Sequence, residues 1–127
     1  MYAISIERTF SAAHALRLYD GSLEPLHGHD WKIHLTVEAD ELDQIDVVMD
    51  FHDLERMVDG LIQSFHNGNL NSVAPFADEQ GALTLNPTAE RVAWWLGTQV
   101  AAQLPKHVRL GAVRVEEAPG CTAAYRQ

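Results

Sequence analysis

From Tyr2 to Phe10 the side chains alternate, with Tyr2, Ile4, Ile6 and Phe10 on one parity and Ser5, Glu7 and Thr9 on the other. A period of two predicts a half-buried β-strand, because successive strand side chains point to opposite faces. Ala12-Ala13-His14-Ala15-Leu16 extends that strand. Tyr19-Asp20-Gly21-Ser22 then breaks it into a loop, and Pro25 keeps the loop from being a regular inner strand. The alternation returns more clearly at Trp31, Ile33, Leu35 and Val37, set against Lys32, His34, Thr36 and Glu38, and predicts a second strand. His27 and His29 share the parity of its apolar face, whereas His34 has the opposite parity and reads as a solvent-facing or interface residue.

After Asp40-Glu41-Leu42-Asp43 the period changes. Asp50 is a suitable helix cap, and Leu54, Met57, Val58, Leu61, Ile62 and Phe65 recur at helical spacing, which predicts a helix ending near Phe65. From His66 to Leu85 the chain is rich in Asn and Gly and reads as a long exposed connection, of the kind that carries function or meets a partner subunit. Asn86-Pro87-Thr88 predicts the next helix start, with Asn as the cap and Pro in the first helical position. Val92, Leu96, Val100 and Leu104 form one face of it, and Pro105 ends it. The adjacent Trp94 and Trp95 cannot both sit at the centre of that stripe, so one covers the sheet and the other an edge or a subunit contact. Val108–Glu116 and Thr122–Arg126 are two further strands, joined by the turn residues Ala118-Pro119-Gly120.

The expected order is ββααββ. It predicts an α+β fold in which an antiparallel four-stranded sheet carries both helices on one face. The other sheet face cannot stay bare: strand edges and the apolar face left over in a small domain are commonly buried by self-association, so an oligomer is expected.

At 127 residues the chain fits one domain spanning 1–127, with a hydrophobic content of 46% and a charged content of 21% that suit a globular protein. No apolar run is long enough to span a bilayer and no basic signal start is present, so the expected location is cytoplasmic, without a membrane partner. A net charge of −9 repels nucleic acid, yet leaves room for a small anionic substrate where a metal or cations such as Arg17 and Lys32 act locally. Cys121, the single cysteine, excludes an internal disulfide and reads as a small buried apolar residue.

Chemistry concentrates between His14 and Trp31. On a strand, His27 and His29 point two imidazoles the same way, and Gly28 leaves room between them. An antiparallel partner strand ending in His14 adds a third. Three imidazoles with an open fourth position match catalytic zinc, whereas strand histidines satisfied by hydrogen bonds or water are the alternative reading.

Phe10-Ser11-Ala12-Ala13-His14, Leu26-His27-Gly28-His29, Val48-Met49-Asp50-Phe51, Pro87-Thr88-Ala89-Glu90 and a late Glu117 and Tyr125 together resemble the 6-pyruvoyl-tetrahydropterin synthase and 6-carboxytetrahydropterin synthase family over nearly the whole chain. The resemblance implies the tunnelling fold, whose subunits join sheets into a barrel and stack two trimers into a hexamer, with active sites between subunits. It also implies Zn2+ on His14, His27 and His29, and a pterin substrate anchored by Glu117 with Thr88 and Glu90 near its ring. A carboxylate facing two adjacent N–H donors is a sound bidentate match. Glu116 faces the other way on a regular strand, and a register error of one residue would exchange the two.

Two departures concern catalysis. Where family members carry a thiol shortly before H-G-H, this chain reads Ser22-Leu23-Glu24-Pro25-Leu26. Its E-x-x-H-G-H resembles the branch in which a glutamate replaces the thiol and the product is 6-hydroxymethyl-dihydropterin. Where the family has an Asp-His dyad, this chain has His66 and Asn67. An asparagine cannot act as a base, which leaves His66 as the proton carrier beside Glu24. One reading is a zinc-dependent lyase acting on 7,8-dihydroneopterin triphosphate or a related dihydropterin. The other is a diverged, zinc-binding paralogue that binds a pterin without the parent reaction.

Overall fold

The computed structural model describes residues 1–127. Its strands are β1 (Tyr2–His14), β2 (His27–Ala39), β3 (Gly68–Asn69), β4 (Arg109–Ala118) and β5 (Cys121–Tyr125), and its helices are α1 (Phe51–Ile62) and α2 (Ala89–Ala101). The sheet order is β3-β1-β2-β4-β5. All pairs are antiparallel except β1 with β3, which run parallel through Ala12–Gly68 and Ala13–Asn69.

The sheet is therefore five-stranded and mixed, and the order is ββαβαββ, not the four-stranded antiparallel ββααββ expected. Two residues are too few for any periodicity to reveal β3. A turn sets it up instead: Asn67 takes a left-handed backbone (φ 59°) and donates its N–H to the Ser11 carbonyl at 2.6 Å. Helix α1 stops at Ile62, and Phe65 is buried from the turn that follows. Residues 66–85 are not simply exposed, since Leu70, Phe76 and Ala77 join the buried core.

The alternating positions behave as strand physics requires. Ile6, Phe10, Ala12 and His14 of β1, Trp31, Ile33, Leu35 and Val37 of β2, and Val113 and Val115 of β4 are buried on the helix-bearing face. Phe10 stacks on Trp31 with ring planes 3° apart and centroids 5.7 Å apart. Arg8 interrupts the apolar parity, and two carboxylates of α1, Asp59 at 2.9 Å and Glu55 at 3.4 Å, hold its guanidinium. The opposite face is polar, not apolar. Ser5 pairs with Thr36, Glu7 with His34, Thr9 with Lys32, and Lys32 with Glu116. Covering an apolar face is thus no reason for self-association here. Cys121 is exposed at the start of β5, not buried, because that strand forms the sheet's outer edge.

The two tryptophans divide as their adjacency demands: Trp95 packs on Phe65, and Trp94 lies under the Arg91 guanidinium. Beyond them, α2 sits close to β5 because residue 97 is glycine. A Cβ there would stand 2.7 Å from a Tyr125 ring carbon and 3.1 Å from a Leu110 methyl. Overpacking of this kind costs about 1–3 kcal/mol, against roughly 1 kcal/mol of helix propensity that alanine would add. Gly97→Ala is expected to lower stability in denaturant titration and to speed amide exchange along Cys121–Tyr125. A variant as stable as the parent would show that Tyr125 yields freely.

Candidate metal centre and ligand recess

In the β1–β2 ladder His14 pairs directly with His27, and Ala12 with His29. This register gathers three rings at the end of the hairpin, with centroids 4.7, 5.1 and 4.8 Å apart and one ligating atom from each within 4.8 Å of the others. Trp31 closes the inner wall, with its ring edge-on to His14 and His29 and its indole N–H on the Ala12 carbonyl. Gly28 lies on the other face, and a Cβ there would make only ordinary contact with Ala12. The fit of the rings does not depend on it.

Hydrogen bonds fix which nitrogens are bare. The Nδ1–H of His14 donates to the Pro87 carbonyl at 2.7 Å, and that of His27 to the Pro25 carbonyl at 2.8 Å. A carbonyl only accepts, so in both rings Nε2 carries the lone pair. His14 is 1% exposed, and burial, partly offset by the Pro87 hydrogen bond and the Glu117 charge, holds its pKa below the ordinary histidine value. Nε2 of His14 and Nε2 of His29 are buried without a hydrogen-bond partner. Glu117 Oε1 approaches His14 Nε2 to 3.2 Å, but not in hydrogen-bond geometry. A neutral imidazole lone pair facing a carboxylate oxygen has no proton to share, so the His14 Nε2 lone pair is left free for a cation. Three imidazoles, two with outer carbonyls fixing the tautomer, fit a divalent metal such as zinc.

Glu24 Oε1 lies 3.9 Å from His27 Nε2 and accepts the Leu16 N–H at 3.0 Å. It is a half-buried, tied carboxylate rather than a free loop residue. Glu117 follows Val113 and Val115 in parity and turns toward His14 where β4 and β5 slip register between Glu116 and Ala118. Glu116 points to the opposite, polar face beside Lys32 and Arg114. Glu117 and the exposed Glu90 line one recess of about 390 Å3 along β5, together with the exposed Cys121. Thr88 does not line that recess; it precedes the lining residue Ala89, and its hydroxyl accepts the Arg91 N–H.

That hydroxyl makes Thr88 the cap of α2, so the helix begins at Ala89 and not at Pro87 as expected. Asn86 is occupied elsewhere, its amide bonded to the Arg17 backbone, and Pro87 stays outside the helix with its carbonyl on His14. His66 does not join the cluster. Its Nδ1 accepts the Ser11 N–H at 3.2 Å, beside the β3 edge of the sheet.

The chain is similar to known proteins. The chain is 32% identical over 102 residues to a dihydroneopterin monophosphate aldolase of Pyrococcus furiosus, covering 80% of this chain and 77% of that one. It is 29% identical over 130 residues to a 6-carboxy-5,6,7,8-tetrahydropterin synthase of Synechocystis, covering 99% and 92%. Among solved structures, the 6-pyruvoyl tetrahydropterin synthase of Caenorhabditis elegans superposes with a TM-score of 0.78 at 23% identity, covering 100% of this chain and 97% of that one. A Plasmodium vivax 6-pyruvoyltetrahydropterin synthase with its catalytic glutamate replaced by alanine superposes with a TM-score of 0.75 at 15% identity, covering 99% and 97%. The family model for 6-pyruvoyl tetrahydropterin synthase matches residues 3–127, so the hairpin that gathers three histidines and the strand that brings Glu117 to them are those of a member of the 6-pyruvoyl tetrahydropterin synthase family.

Proposed function

We propose that the protein is a zinc-dependent lyase that cleaves the side chain of a phosphorylated 7,8-dihydroneopterin to leave 6-hydroxymethyl-dihydropterin. The observation that carries this reading is Glu24, 3.9 Å from His27 Nε2, in the stretch where the family resemblance implies a thiol. The aldolase name of the Pyrococcus relative and the catalytic glutamate named for the Plasmodium enzyme support it. Zinc on His14, His27 and His29 would supply the positive charge that polarises the side-chain oxygens of the substrate. Glu117 binds the ring N–H donors as a carboxylate acceptor, with Glu90 and Thr88 beside the ring.

Cleavage is then a retro-aldol step. Glu24 takes the proton of the 2′-hydroxyl, the C1′–C2′ bond breaks, and its electron pair, delocalised into the pterin ring, is protonated at C1′. The two-carbon aldehyde leaves with the phosphate. His66, at the β3 edge, and the recess, at the β5 edge, lie on opposite sides of the sheet. A His66 acting on a recess would have to come from a neighbouring copy, as in the homo-oligomer, a hexamer of two trimers, that the resemblance implies.

The test is mass analysis of products from 7,8-dihydroneopterin monophosphate and triphosphate. The expected product is 6-hydroxymethyl-dihydropterin, with Glu117→Ala raising KM while zinc content stays normal. A pyruvoyl or carboxy product would overturn the cleavage reading. Tight pterin binding without turnover would favour the non-catalytic paralogue, which the tied His66 and the Asn67 beside it support.

A further inference from the structure

Resting on the metal reading above, we propose that Asn71 and Asn86 are positioning residues for the metal ligand His14. The β1–β2 ladder ends at the His14–His27 pair, and β1 leaves β3 at Ala13. The next three residues therefore leave β3 altogether one step after a ligand that must stay in place, and on the β2 side they keep only the isolated bridge of Arg17 to Leu23. Side chains take over the ladder on the β3 side. Asn71, two residues past β3, accepts the Ala15 N–H at 2.8 Å and donates to the Ala15 carbonyl at 2.7 Å. Asn86 does the same for Arg17, at 2.9 and 3.0 Å. On the other side Glu24 accepts the Leu16 N–H with its side chain and donates its own backbone N–H to the Leu16 carbonyl, both at 3.0 Å.

The alternation 15, 16, 17 between two sides is that of a strand, with carboxamides standing in for peptide groups. A carboxamide suits this because it offers one donor and one acceptor side by side, as a peptide does. Asn86 has a second consequence. The next residue, Pro87, supplies the carbonyl that takes the His14 Nδ1–H. The Asn86–Arg17 pair thus closes a ring of contacts running from His14 through Ala15, Leu16 and Arg17 to Asn86, Pro87 and back to the imidazole. Both the backbone and the tautomer of His14 are set by residues that never reach the metal. Outer groups of this kind orient first ligands and raise metal affinity.

The substitutions that test this are Asn71→Asp and Asn86→Asp. Each keeps the acceptor for the backbone N–H but sets a second oxygen against the backbone carbonyl. Val58→Ala, a core change in α1, serves as a control for lost stability alone. Zinc affinity is read by competition with a chromogenic chelator, and ligand geometry by the visible spectrum of the cobalt(II)-loaded protein. The Asn variants are expected to weaken zinc binding about 10- to 100-fold and to shift the cobalt bands, while Val58→Ala lowers the melting temperature and moves neither. Unchanged affinity and bands in the Asn variants, or equal loss in the control, would overturn the positioning role alone. No zinc or cobalt uptake by the unsubstituted protein would overturn the metal reading together with it.

Discussion

His27→Ala is expected to abolish both the bound metal and turnover. The unsubstituted protein should carry about one zinc per chain, and the variant none after dialysis. Of the three ligands His27 gives the cleanest experiment, because its side chain is 42% exposed whereas that of His14 is 1% exposed. Alanine at 27 removes an imidazole from the end of the hairpin without opening a cavity under Trp31. Alanine at 14 would also orphan the Pro87 carbonyl and unpack the core around the ring. Two imidazoles remain in His27→Ala, and a two-nitrogen site no longer meets the three protein ligands of a catalytic zinc centre. Metal analysis and circular dichroism together decide the outcome. A folded variant that keeps one zinc per chain would place the site elsewhere.

Glu24→Gln is expected to lower kcat by roughly 100-fold or more with little change in KM, because general acid–base groups contribute rate and not ground-state binding. The geometry makes glutamine the informative choice. Oε1 of Glu24 holds the Leu16 N–H at 3.0 Å, and a carboxamide oxygen can hold it equally well, so the loop next to His14 keeps its shape. What the substitution removes is the capacity to take and return a proton. Glu24→Ala would do both at once and leave the loss ambiguous. Single-turnover measurements on the zinc-loaded variant should show slow cleavage after normal binding. A fall in zinc affinity matching the fall in rate would make Glu24 a structural residue of the loop. Unchanged turnover would remove it from the chemistry.

The centre of the site was legible in the chain. Period-two alternation requires only that side chains on a strand face opposite ways, so His27 and His29 had to share a face. A hairpin then had to return His14 beside them, and the observed pairing of His14 with His27 is its direct result. Parity likewise separated Glu117 from Glu116. It did so through Val113 and Val115, whose burial sets which face of β4 meets the core.

Tertiary structure decided the rest, and the reason is the same in each case. β3 consists of two residues whose only strand property is a partner found 56 positions away, and no local period can encode a partner. The carbonyls of Pro25 and Pro87 select the histidine tautomers, yet a carbonyl belongs to every residue and leaves no mark in the sequence. Asn86 looked like a helix cap because its neighbours are Pro and Thr, but its amide is spent on Arg17, 69 residues earlier, and the cap passes to Thr88. The open face of the sheet was expected to be apolar from the need to bury a small domain's surplus. Its polar parity, Ser5, Glu7, Thr9 and Lys32, was already visible, and only the placement of both helices on the other face showed that these residues remain uncovered within the chain. Sequence by itself determined the side of each strand on which chemistry sits, because that follows from local geometry. The hydrogen bonds that hold the chemistry in place join residues distant along the chain, and only the fold brings those together.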